Sequence, residues 1–170
     1  MKMQVRAIWL FFICFALSIS SCGIYTFNDV SIPPEVKTIR IGFIKNQARY
    51  INPSLSAQLT DAFVKKVASQ TKLTRIDDMN ADYVINSVIT QYDVTTSGVS
   101  NNNQASLNRL TVGLHMTLID NTKKDQHEYD VSSTFDFNAN LSLTQAETSL
   151  MSQILKDIPD AMFNKVFSQW

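Results

Sequence analysis

The sequence is poor in the residues that build metal centres, disulfide frameworks and phosphate loops. Its 170 residues include two cysteines, two histidines, four glycines and four prolines. Two cysteines cannot staple a disulfide-dense scaffold. His115 and His127 stand twelve residues apart and outside any recognised metal-ligand spacing. The few glycines form no phosphate-cradling loop, and no nucleophile-elbow motif accompanies the many serines. An excess of one charge is also missing: 15 basic against 15 acidic side chains give no global case for nucleic-acid binding. Asp77-Asp78 reads as a solvated turn rather than a catalytic carboxylate pair. What is present, 45% apolar and 18% charged residues, is the composition of a globular chain. These absences point to a binding or structural module, not an enzyme, with no cofactor. A hydrolase would need a serine hydroxyl held against His115 or His127.

Long apolar runs are scarce too. Ala7 to Leu17 is apolar for 11 residues, whereas a spanning helix needs roughly 20. Lys2 and Arg6 precede it, and Ser18, Ser20 and Ser21 follow, which is the pattern of a secretory signal. Cys22 comes next. Ile19-Ser20-Ser21-Cys22 resembles the lipobox of bacterial lipoproteins, and an ordinary cleaved signal with an incidental cysteine is the alternative. The resemblance implies cleavage before Cys22, a diacylglyceryl thioether on its sulfur and an acyl chain such as palmitate on its amine. Two or three chains hold a protein firmly on a membrane, where one holds it marginally. Residues 1–21 are thus expected to be a signal peptide, which leaves 149 residues with 13 basic and 15 acidic side chains. A chain of that length can bury one sizeable core without staples.

Residues 22–35, with Asn28-Asp29 and Pro33-Pro34, read as a lipidated N-terminus and extended tether, because proline neither continues a helix nor sits in a central strand. Tyr25 and Phe27 offer the alternative of pinning this stretch to the body or the membrane surface. One domain then spans 36–170. Val36 to Ile44 alternates, with Ile39, Ile41 and Phe43 on one face. Asn52-Pro53 looks like a helix cap, and Leu55, Leu59, Phe63 and Val67 form one helical stripe ending near residues 70–72. Leu73 to Ile76 is a short extended piece. Asp82 to Thr95 alternates with apolar residues on both faces (Val84, Val88, Tyr92 and Val94 against Tyr83, Ile85 and Ile89), as a central strand does. Ser97 to Gln104 is a polar loop. Leu107 to Ile119 and Glu128 to Phe137 flank a turn at 120–125. Thr144 and Glu147 fit a capping box, and Leu150, Ile154, Ile158 and Met162 continue a helix that Pro159 should kink or restart. The expected fold is an α+β two-layer sandwich: a four-stranded mixed sheet with two helices on one face, in the order β-α-β-β-β-α.

Charge is uneven along the chain. Residues 22–75 carry eight basic and three acidic side chains, while residues 76–170 carry five and twelve. The basic set (Lys37, Arg40, Lys45, Arg49, Lys65, Lys66, Lys72 and Arg75) reads either as a solvated face or as a patch for an anionic partner such as lipid A phosphates. Arg109, opposite the Leu110 face, could join that patch or guard a sheet edge.

Cys22 to Phe27 followed by Ser31 to Ile39, the run Asn52 to Ser56, the run Leu107 to Val112, and the ending Ile158 to Trp170 together resemble the LptE family of lipopolysaccharide-assembly lipoproteins. The resemblance implies a non-enzymatic protein, lipid-anchored through Cys22 on the periplasmic side of the outer membrane. It implies two partners, lipopolysaccharide and the LptD β-barrel, with this protein as the barrel's plug and assembly partner. Arg40 and Arg109 are the candidate lipopolysaccharide contacts, and Asn101, Asn102 and Asn103 the candidate barrel-facing loop. The competing reading is an accessory lipoprotein of another envelope complex, such as an efflux or peptidoglycan-linked one.

Overall fold

The computed structural model describes residues 32–99 and 105–168. Cys22, the tether as far as residue 31 and the three asparagines at 101–103 lie outside them. The elements are β1 (Thr38–Ile41), β2 (Lys45–Asn46), α1 (Leu55–Gln70), β3 (Thr74–Arg75), β4 (Tyr83–Val99), β5 (Ala105–Asp120), β6 (Asp125–Asn138) and α2 (Leu143–Phe167). The class is α+β with a mixed sheet, as expected, but the sheet has six strands rather than four. Its order is β3-β1-β4-β5-β6, and β2 also pairs with β4. β1 pairs in parallel with β3 and β4, β2 pairs in parallel with β4, and β4, β5 and β6 form an antiparallel meander. The two additional strands have two residues each, too few for any alternation to show.

The apolar stripes of both helices and one face of the sheet close a single core. Leu55, Leu59, Phe63 and Val67 of α1 and Ile154, Ile158, Met162 and Phe167 of α2 are buried in it, against Ile85 and Ile89 of β4 and Leu110 to Leu118 of β5. Each fully buried Leu, Ile or Phe contributes on the order of 2 kcal/mol of transfer free energy.

Local chemistry moves several boundaries. The first strand ends at Ile41, and Gly42 passes close to β4: its amide donates to the Ile85 carbonyl at 2.8 Å, and a Cβ there would lie 2.9 Å from Asn86 Oδ1. The alternation breaks at this point, so Ile44 is buried and Phe43 is 60% exposed, not a core residue. In β4 the register slips between Ile89 and Gln91. This bulge moves Tyr92 onto the face of Ile85 and Ile89, away from Val84 and Val88. Ser97 to Val99, expected in a loop, belong to β4, so the hairpin is longer and its connection shorter than expected. α1 begins at Leu55 with Ser54 as cap, and Asn52 acts two residues earlier by accepting from the Ser54 amide and hydroxyl, both at 3.0 Å. The capping box of α2 is Ser142 with Gln145, the same spacing two residues before Thr144 and Glu147. Pro159 does not restart the helix. α2 runs through it, with Ile158 and Met162 buried on either side of the missing hydrogen bond. Among the described residues no helix is long and apolar enough to cross a membrane.

Candidate functional site: an uncovered sheet face between two ends

Both helices pack on one face of the sheet, which leaves most of the other face of β4, β5 and β6 to solvent, with Val84 buried at one end of it. Alternation places Arg109, Thr111, His115 and Thr117 of β5 there, opposite Asp136, Thr134, Asp130 and Glu128 of β6. All eight are exposed or half-exposed. This surface is flat, hydroxyl-rich and ionic, and suits a wet interface better than an apolar one.

The candidate lipopolysaccharide contacts do not converge. Arg40 lies on β1 in the row Arg40, Val84, Ile119, whereas Arg109 pairs with Thr95 and Asp136 ten residues along β5 from Ile119. Ten strand residues span roughly 33 Å. Arg40 Nε is 3.6 Å from Asp77 Oδ1, too long for a hydrogen bond, and is buried without a hydrogen-bond partner. Arg109 makes a forked pair with Asp136, Nε to Oδ1 at 2.7 Å and Nη2 to Oδ2 at 2.9 Å. That pair raises the pKa of the guanidinium and, through the Arg109 hydrogen bond first, holds the Asp136 carboxyl below its usual range. The other basic residues are dispersed. Lys66, on α1, is 2.8 Å from Asp160 and 5.6 Å from the Phe163 ring centroid, and so bridges the two helices.

His115 lies on the open face, as its alternation with Leu114 and Met116 predicts, with Nδ1 2.8 Å from Asp130 Oδ1. His127 sits near Asp125 at 3.4 Å and stacks on Tyr129. No group of three or more His, Cys, Asp or Glu side chains among the described residues is placed to hold a metal ion.

One end of the sheet and its middle are fixed by different chemistry. At the end where the chain enters, Asp82 Oδ2 accepts from the amides of Lys37 and Thr38 and from the Thr38 hydroxyl, which ties the start of β4 to that of β1. The Lys37 and Thr38 amides lower its pKa. Asp120, at the end of β5, is buried, which raises its pKa, yet the Thr122 hydroxyl and the amides of Lys123 and Thr122 outweigh burial and lower it overall. In the middle of β4, Tyr92 donates to Glu147 Oε1 at 2.7 Å inside the core, and Tyr50 stacks on Tyr92 with centroids 5.5 Å apart. Burial and then the Glu147 bond push the Tyr92 phenol far up. Sequence reasoning gave Glu147 to a helix cap. Its real signal was its spacing, three residues before Leu150 and seven before Ile154, which places it in the apolar stripe.

Comparison with solved structures shows where this fold recurs. A protein from Helicobacter pylori described as a candidate neuraminyllactose-binding hemagglutinin homologue is similar at 11% identity, over 79% of this chain and 85% of its own, with a TM-score of 0.57. A protein from Xanthomonas campestris is similar at 12% identity, over 82% of this chain and 91% of its own, with a TM-score of 0.56. The rare lipoprotein B of Shewanella oneidensis overlaps at 10% identity, over 75% and 89%, with a TM-score of 0.49. At such identities the first two likenesses speak to fold alone. No curated protein matches the sequence. Residues 36–166, nearly all of the folded body, match the LptE family described as lipopolysaccharide-assembly. The chain belongs to the LptE lipopolysaccharide-assembly family.

Proposed function

We propose that this protein is an outer-membrane lipoprotein that plugs an LptD-type β-barrel and helps it assemble and deliver lipopolysaccharide. In this reading residues 1–21 are removed, Cys22 carries the acyl chains on the periplasmic side, and residues 36–170 act as one non-enzymatic domain. The family match over residues 36–166 carries the proposal.

The physics of the surface supports it. A wide barrel has a polar, wet interior. A domain with a flat polar sheet face and a long β4–β5 hairpin can fill such a space without an apolar seal. Arg40 sits beside Asp77 at 3.6 Å and Arg109 is held in a fork by Asp136, so either arginine must leave a carboxylate to meet an anionic group. The connection holding Asn101, Asn102 and Asn103 is the proposed insertion tip.

The test is a pull-down of the tagged protein from detergent-solubilised outer membranes, with mass spectrometry of the partners and of the N-terminal peptide. A large β-barrel in near-equal amount, with acylated Cys22, is the expected result. Acylated Cys22 with a different envelope complex would favour the accessory-lipoprotein reading, and an unmodified cysteine would remove the anchor.

A further inference from the structure

The chain enters the folded body through an open groove of about 740 Å³. One wall is made by Ile32, Pro33 and Val36, and the other by the end of α1 and Leu73. Lys37 and Lys72 line it as well. The groove therefore combines five apolar residues, four uncharged polar ones and two cations.

We infer that this groove is the seat of the chain's own segment Ile24 to Val30. Three observations carry the inference. First, the segment starts where the groove does: Ile32 already packs against the core, and the turn closed by the Val36 amide on the Pro33 carbonyl, at 3.0 Å, folds the entering chain against the groove wall. Residues just before Ile32 are held at high effective concentration beside the opposite wall and need no linker to reach it. Second, the segment carries apolar side chains for a partly apolar groove, with Ile24, Tyr25, Phe27 and Val30 in seven residues. Third, its one charged residue is Asp29, opposite in sign to Lys37 and Lys72. Docking would bury side chains that otherwise face water. It would also shorten the free link between Cys22 and the domain from about ten residues to a few, with about 3.3 Å of reach lost per residue seated.

The experiment uses the protein isolated from membranes, with benzoylphenylalanine in place of Phe27. On illumination the expected adduct joins position 27 to Ser69–Thr74 or Val36–Lys37 of the same chain. Ser69→Trp, a bulky change at an exposed position on the groove wall, should remove most of that adduct while the far-UV circular dichroism stays unchanged. In parallel, Tyr25→Ser with Phe27→Ser should speed amide exchange in Ser69–Thr74 by about tenfold or more and leave β5 unaffected. Adducts to lipid, to a second copy or elsewhere on the domain would overturn the inference, as would unchanged exchange in Ser69–Thr74. Neither readout involves the barrel, so the inference and the proposed function fail independently.

Discussion

At the scale of single residues, the most consequential contact is the buried bond from Tyr92 to Glu147. Tyr92→Phe removes the donor and leaves a carboxyl inside the core short of a partner, which costs about 1–3 kcal/mol. Urea unfolding should show this as a lower midpoint with an unchanged slope. Adding Glu147→Leu to Tyr92→Phe should recover part of the loss, because two apolar groups leave nothing unsatisfied. Asp82 gives a pH signature. Its folded pKa lies below the ordinary aspartate value, so its contribution is present above that ordinary value and is lost as pH falls through the folded one. Asp82→Asn should therefore lower Tm at pH 7 and differ less from the parent at pH 3. A gap as large at pH 3 as at pH 7 would show that the carboxylate charge is not what holds Lys37 and Thr38. None of these roles is legible from residue identity alone, because Asp82 acts on residues 44 and 45 positions away.

At the scale of elements, the β4 bulge sets which face Tyr92 occupies, and Gly113 sits across from it. A Cβ on Gly113 would lie 3.0 Å from Gln91 Cβ, so the strands cannot approach this closely with a larger residue present. Gly113→Val should destabilise by about 1–3 kcal/mol through overpacking, read as a fall in Tm, while Thr111→Val on the same exposed face should change little. The regular elements were legible in the sequence. Leu110 to Leu118 alternate without interruption, and Leu55 to Val67 recur every fourth residue, because a strand or helix that buries one face must repeat. The interruptions were not. Gly42, the bulge beside Ile89 and the two-residue strands β2 and β3 are set by what lies across the sheet, and no local pattern encodes that. The cap of α2 shows a milder case: two frames of the same motif overlap, and the frame chosen starts the helix at Leu143 and leaves Glu147 buried against Tyr92. For the candidate site, the alternation of β5 did place Arg109 and His115 on the open face, but their carboxylate partners come from β6 and needed the register.

At the scale of the whole molecule, the charge asymmetry of the sequence becomes a spatial one. Arg40, Lys45 and Arg75 belong to the strands at one side of the sheet, with Lys37 just before β1, and Asp125, Glu128, Asp130 and Asp136 belong to the edge strand at the other. The acidic row discourages two copies from joining along β6, since like charges would face each other. Deleting Asn101 to Asn103 should weaken capture of the barrel while the thermal unfolding midpoint stays within a few degrees of the parent. Unchanged capture would take the tip out of the interface.

The position of Pro33 has a further consequence. Pro33 shares a small cavity with Leu118 and Asp120, so the chain enters beside the C-terminal end of β5, while the hairpin tip lies at the other end of the same strand. The 16 residues of β5 separate the two by roughly 50 Å, slightly more than the roughly 40–45 Å of a bilayer with its headgroups. A molecule tied down at its entry end is a stalk about as long as a membrane is thick. If Cys22 carries the proposed acyl chains, the length of β5 sets how far from the lipid surface a partner can meet the hairpin end of that strand.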